Sequence, residues 1–223
     1  MELRVLVSLI LSQTPERPAM TIDMLGRSAV RLLITGAVST IFVVLPSGLL
    51  SAQEGSSPAC WIRPDQADLE IRASPFDSTS IGVAGGEIKI CYSRPRMLGR
   101  PIMGRLVPHG EPWRFGADEA TAVHVSFPAS IAGVAVEPGR YTLYVVPDAS
   151  EWTVVVNAAT QRWGVPIDAA VRARDVGSGT VPVERTDAPV ELLTLTLEPV
   201  SASEVALVAE WERTRVRIPI RAR

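Results

Sequence analysis

Alternation of apolar and polar residues, sustained from Gln53 almost to the C-terminus, is the feature that most narrows what this chain can become. Ile88, Ile90 and Tyr92 alternate with Glu87, Lys89 and Cys91. Trp152, Val154 and Val156 alternate with Thr153 and Val155, and Leu193, Leu195 and Leu197 with Thr194 and Thr196. Successive side chains of a strand point to opposite faces, so this pattern suits half-buried antiparallel strands and suits no helix. Near the end, Val205, Leu207, Ala209 and Trp211 form one run and Val216, Ile218 and Ile220 another, with Arg215 and Arg217 facing out. The polar Glu212 to Thr214 between them predicts a turn. Turn chemistry also stands at Gly85-Gly86, Pro138-Gly139 and Pro147 to Ser150. Roughly nine or ten strands at this spacing predict an all-β fold: an antiparallel β-sandwich, jelly-roll-like, with little helix. Asp168 is expected to cap a short helical turn running towards Arg174.

The first fifty residues follow a different rule. Arg27 and Arg31 precede Leu32 to Leu45, apolar except for Thr35, Gly36, Ser39 and Thr40, and Leu50-Ser51-Ala52 offers a small-residue cleavage site. Residues 24–52 therefore predict a secretory signal peptide cleaved near Ala52, and export to the periplasm or beyond. An uncleaved anchor would need about 20 apolar residues, more than this run supplies, so no stable membrane span is expected after cleavage. Residues 1–23 carry Glu2, Glu16 and Asp23 and read as a mis-assigned upstream extension. That leaves residues 53–73 as an N-terminal segment of the mature chain and 74–223 as a single β-sandwich domain.

Export gives the only two cysteines their meaning. Cys91 shares the polar face of its strand with Glu87 and Lys89, where an N-terminal segment carrying Cys60 can reach it. In an oxidising compartment the expected arrangement is a Cys60–Cys91 disulfide, the alternative being two free thiols.

Charge and composition remove whole classes of function. A net charge of −2 speaks against a broad grip on nucleic acid. Two Cys exclude a four-Cys zinc site, and two His make a His-rich centre a poor fit, so neither metal nor cofactor is expected. No phosphate-binding loop, nucleophile elbow or zinc-protease motif occurs.

What remains is one long irregular segment, Arg94 to Thr121. It holds Arg94, Arg96, Arg100, Arg105 and Arg114 against Glu111, Asp118 and Glu119, with four Pro and four Gly. Long loops on rigid β scaffolds are where function tends to sit.

Several motifs in order carry a resemblance. Tyr92-Ser93-Arg94-Pro95 is followed by Gly99-Arg100, Leu106-Val107-Pro108, Trp113-Arg114 and Gly116-Ala117-x-Glu119-Ala120-Thr121. Downstream come Pro138-Gly139-x-Tyr141-Thr142-Leu143, Glu151-Trp152-Thr153, Asn157 and Gln161-x-Trp163-Gly164. Together they resemble the exported bacterial domain-of-unknown-function 2911 family over about Ser74 to Ile220. The resemblance implies an exported or lipid-anchored β-rich protein and brings no activity, substrate or cofactor with it. Two positions depart from the family's pattern: His109 stands where Tyr is usual, and Asp118 where Asn is usual.

Three readings of the loop follow. In the plainest, Trp113 plugs the sandwich and Arg114 pairs with Asp118 or Glu119. In the second, the protein is a non-catalytic module of the cell envelope binding a small molecule or glycan. Arg94, Arg100, Trp113, Arg114 and Glu119 are then the binding residues, with Arg114 clamping an anion. Trp152, Trp163 and Tyr144 are candidate stacking surfaces for it. In the third, an envelope hydrolase uses Asp118 and Glu119 as paired carboxylates or His109 as base. His124, between Val123 and Val125, is expected to face solvent alone, and Ser93 and Ser126 carry no nucleophile signature. A purely structural or protein-docking domain, using the Arg-rich end from Arg213 to Arg223, is the other alternative.

Overall fold

The computed structural model describes residues 58–223, so the expectations for residues 1–57, the signal peptide among them, lie outside the described residues. The strands are β1 (Phe76–Val83), β2 (Gly86–Ser93), β3 (Ala117–Val125), β4 (Ala129–Ile131), β5 (Val134–Val136), β6 (Gly139–Pro147), β7 (Glu151–Asn157), β8 (Asp175–Ser201) and β9 (Glu204–Ala222). Helix is nearly absent. A 3₁₀ turn spans Pro64–Gln66, and α1 is the short Ala169–Arg172, whose N-cap Asp168 accepts from the Val171 N–H at 3.0 Å. The all-β, antiparallel expectation with little helix holds.

Every pairing is antiparallel, and the strands follow one another in the order β1-β2-β3-β6-β7-β8-β9-β4-β5. The sheet is open and continuous because β8 serves twice. Its first part, Asp175 to Pro182, pairs with β7, and from Val183 onward it pairs with β9. Alternation decides what each strand buries: Ile88, Ile90 and Tyr92 of β2 turn inward while Glu87, Lys89 and Cys91 stay half-exposed. Residues from both parts of the sheet, among them Val123, Leu143, Trp152, Leu195, Leu207 and Ile218, form one apolar core. Each such side chain contributes about 1.5–3 kcal/mol by leaving water. At the β1–β2 hairpin, Ala84 and Gly85 both have positive φ (52° and 75°). That is the turn geometry whose twist matches the flanking strands.

The expected turn at Glu212–Thr214 is absent. Instead β9 runs unbroken for 19 residues. The physical reason lies in the parity of its apolar residues. Positions 205, 207, 209 and 211 enter the apolar core on the odd count, and 216, 218 and 220 on the even count. The facing of β9 switches near Glu212 within a continuing strand, a local irregularity rather than a reversal, and the surplus residues lie on its partner β8. Glu212 takes the left-handed backbone conformation (φ 56°), opposite the interruption of β8 between Arg185 and Thr194. The Arg-rich end is also less free than a docking surface requires. Arg215 pairs with Glu210, Arg217 with Glu198 at 2.7 Å and Arg221 with Glu204 at 2.9 Å, and Arg213 donates to the Asp187 carbonyl.

Cys60 and Cys91 are joined, with 5.9 Å between their Cα atoms. The bridge closes a loop over a separation of 31 residues. In the chain-entropy model that contributes about 3–4 kcal/mol. Among the described residues, no helix is long and apolar enough to cross a membrane.

Candidate functional site

The segment leaving β2 at Arg94 is irregular but fastened along its length. Met97 N–H donates to the Glu191 carbonyl, Met103 N–H to Glu212 Oε2, and Gly110 N–H to the Pro147 carbonyl. Trp113 exchanges both backbone hydrogen bonds with Val145 of β6, at 2.7 and 2.9 Å. Ile102, Val107 and Phe115 turn into the core.

Trp113 closes the end of that core. Its ring stacks on Trp211 (5.7 Å between centroids, 21° between planes) and meets Phe115 and Trp152 edge-on, each at 5.9 Å. Such pairs each contribute about 0.5–1.5 kcal/mol beyond the area they bury. The plug of the plainest reading is therefore what the residue does on its inner side. Its outer side, with Arg114, Pro95, Leu106, Val165 and Trp211, lines a groove of about 290 Å³. Leu106 and Val165 are 45% and 46% exposed, giving the groove an apolar rim.

Arg114 does not pair as the sequence suggested. Its Nε donates to the Gly116 carbonyl at 3.2 Å, and no carboxylate forms an ion pair with it among the described residues. Burial lowers its pKa, and Asp118, acting only through space, opposes that lowering in part. A guanidinium keeps its charge regardless, so Arg114 is a half-buried cation with donors to spare.

Glu119 has a different partner, Arg72. The guanidinium grips the carboxylate two-pronged, Nη1 to Oε2 at 2.6 Å and Nη2 to Oε1 at 2.8 Å. The Arg63 N–H adds a third bond at 3.0 Å. Both side chains are buried, 6% and 5% exposed. Burial alone would push the Glu119 carboxyl upward, but the Arg72 and Arg63 hydrogen bonds hold it below the usual carboxylate range. Asp118 lies 3.9 Å from Arg72, too far for a hydrogen bond, and its own pKa is raised, chiefly by burial. The Asp118 backbone is left-handed (φ 55°), a conformation that Asp and Asn tolerate better than other side chains. Backbone geometry thus accounts for a short polar side chain at position 118.

The other sequence candidates disperse. Arg94 ties β2 to β8, donating to the Leu193 carbonyl and Thr194 Oγ1 and pairing with Asp77 at 3.2 Å. Arg100 donates to the Met97 and Arg96 carbonyls, closing its own turn. His109 is exposed and lines a separate cavity of about 510 Å³ with Asp148, Arg185 and Glu212. Trp152 and Tyr144 are buried, Tyr144 donating to Asp175 at 2.7 Å, so neither offers a stacking surface. Trp163 is half-buried beneath the Arg63 guanidinium, 5.3 Å from its ring centroid. Ser93 is buried, and Ser126 accepts from the Glu87 N–H. His124 does not face solvent alone; it is half-buried, and its Nδ1 finds no partner. Of the five proposed binding residues, only Trp113 and Arg114 share one groove. Among the described residues, no group of three or more His, Cys, Asp or Glu is placed to hold a metal ion.

Arg72 is the participant that sequence reasoning missed. It sits in an acidic stretch with Asp65, Asp68 and Glu70, 47 residues from its partner, and no periodicity marks it.

The family model for proteins of unknown function DUF2911 matches residues 74–220. The chain belongs to the DUF2911 family. The match takes in the whole loop and its groove but stops short of Cys60, Trp61, Arg63 and Arg72. So the DUF2911 span supplies Trp113, Arg114 and Glu119, and the segment before it supplies the cation that satisfies Glu119. No curated protein and no solved structure matches the chain.

Proposed function

We propose that this DUF2911 protein is an exported, single-domain, non-catalytic binding module for a small carboxylate with an apolar body. Arg114 clamps the carboxylate, and Trp113, Leu106 and Val165 receive the rest. One observation carries the reading: a half-buried guanidinium without an ion-pair partner stands on the wall of an otherwise apolar groove. Arginine's fork suits carboxylates, and apolar grooves with a few placed polar groups are the usual form of small-molecule sites. The Cys60–Cys91 bridge supports export, since such bonds persist in oxidising compartments. Less supports the hydrolase alternative, because Glu119 is committed to Arg72 and cannot work freely with Asp118.

The test is a thermal-shift and tryptophan-fluorescence titration of the oxidised protein with carboxylates of graded apolar length, each beside its uncharged amide. A ligand at 100 times its dissociation constant stabilises by about 2.7 kcal/mol, a readily measured shift. Stabilisation by the acids and not the amides, lost in a folded Arg114→Gln variant, is expected. Equal response of wild type and Arg114→Gln overturns the reading.

A further inference from the structure

On the outer face of β2, β3 and β6 the strand registers bring three basic residues into one row. Lys89 of β2 is opposite His124 of β3, and His124 is opposite Arg140 of β6. Like charges directly opposite one another disfavour a sheet, and nothing in the alternation requires basic residues at all three places. All three line one cavity, together with Trp61, Gln161 and the Cys60–Cys91 bridge, and no Asp or Glu lines it. Neither Lys89 nor Arg140 forms an ion pair among the described residues. His124 Nδ1 is buried without a hydrogen-bond partner, which a buried polar atom rarely tolerates. The recess offers about 30 Å³, room for one or two water-sized groups.

We propose that this cavity is an anion site that takes a carboxylate group, with His124 as a donor on its wall and Lys89 and Arg140 supplying the charge. A second wall comes from Pro58 to Trp61, so the disulfide that pins this segment to Cys91 also forms the site. The site is separate from the Arg114 groove, sharing none of its lining residues.

The groups bearing on His124 can be named. Burial lowers its pKa first, then Arg140 from β6; Glu87 along β2 opposes, and Lys89 adds to the lowering. Tyr141 is the remaining titratable neighbour from β6, and the stretch from Pro58 to Trp61 brings none, since Cys60 is bonded. A bound carboxylate adds the missing negative charge, favours the imidazolium and raises the His124 pKa; by linkage, binding tightens as pH falls.

The protein has two histidines, which makes the experiment self-controlled. Both imidazoles are titrated by NMR in the oxidised protein, assigned with a His109→Gln variant. Acetate replaces a bulky benzenesulfonate salt at constant ionic strength. The expected result is a saturable rise of His124's pKa by about one unit, corresponding to tenfold tighter binding to the imidazolium, with His109 unmoved. The rise is lost in Arg140→Gln, a substitution at an exposed position whose folding is checked by circular dichroism, and persists in Arg114→Gln. N-acetylglycine separates two sources of the same group: a response equal to that of acetate marks the carboxylate end of a larger molecule, and a response to acetate alone marks a small free acid. No movement of His124 at any acetate concentration overturns the proposal, as does a parallel movement of both histidines.

Discussion

Replacing Arg72 by Met leaves the buried Glu119 carboxylate with backbone donors alone, the Arg63 N–H and its own. Breaking a buried, two-pronged pair by removing one partner costs about 3–5 kcal/mol, because the remaining charge keeps its desolvation penalty and loses its compensation. At pH 7, for a domain of this size, that lowers the melting midpoint by roughly 6–20 °C. The pH dependence has a determined sign. In the wild type the Glu119 pKa is depressed in the folded state, so its stabilisation is present above the unfolded value near 4.3 and is lost as pH falls through the folded value. In Arg72→Met, burial acts unopposed by the guanidinium and the folded pKa lies above the unfolded one. The native state then binds the proton more readily, and the variant recovers stability as pH falls through that raised value. Urea denaturation followed by tryptophan fluorescence at pH 7 and pH 4 measures both effects. The gap between the two proteins is expected to be widest at pH 7 and clearly narrower at pH 4. A gap below about 1 kcal/mol at pH 7 would place the pair in the class of exposed bridges and refute the argument, as would a gap that does not change with acid.

Four further variants probe other parts of the site. Cys91→Ser with Cys60→Ser removes about 3–4 kcal/mol under non-reducing conditions, and reductant should bring the wild type to the same midpoint in calorimetry. Trp113→Ala empties a place among Phe115, Trp152 and Trp211 and costs about 3–5 kcal/mol by chemical denaturation, whereas Arg114→Gln leaves stability within about 1 kcal/mol. Gly164→Ala would bring a methyl to 2.5 Å from Arg114 Cδ and 2.9 Å from the Asp118 carbonyl, so Arg114 must move. Carboxylate binding in the groove should fall at least as far as in Arg114→Gln, by fluorescence titration.

Strands with one wet face were legible because the wet face leaves a trace: Ile88, Ile90 and Tyr92 alternate cleanly, and Cys91 on the opposite parity is where Cys60 arrives. The run from Trp211 to Val216 carried its trace too, but polar Glu212, Arg213 and Thr214 look the same in a local irregularity as in a turn. Only the switch from odd to even among the core residues separates the two. Trp113 as a plug followed from its neighbours in the loop. The partner of Glu119 did not, since an ion pair across 47 residues has no period and Arg72 lies among acids that suggest a solvated stretch. His124 was misplaced for a related reason. Parity put it on the outer face correctly, while the segment covering that face is joined to it through a disulfide far along the chain.

Cys60 and Arg72 fasten the two ends of one stretch by different chemistry, a covalent bond at one end and a charged pair at the other. Between them the chain runs through exposed residues, with Ile71 at 81%. A protease cutting there would release nothing: the piece bearing Trp61 stays attached through sulfur, and Arg72 stays seated on Glu119. The nicked protein would run at full mass until reduced and then shed its N-terminal piece, opening the cavity beside His124. Neither cleavage nor reduction alone releases the segment, and together they uncover a face that neither exposes by itself.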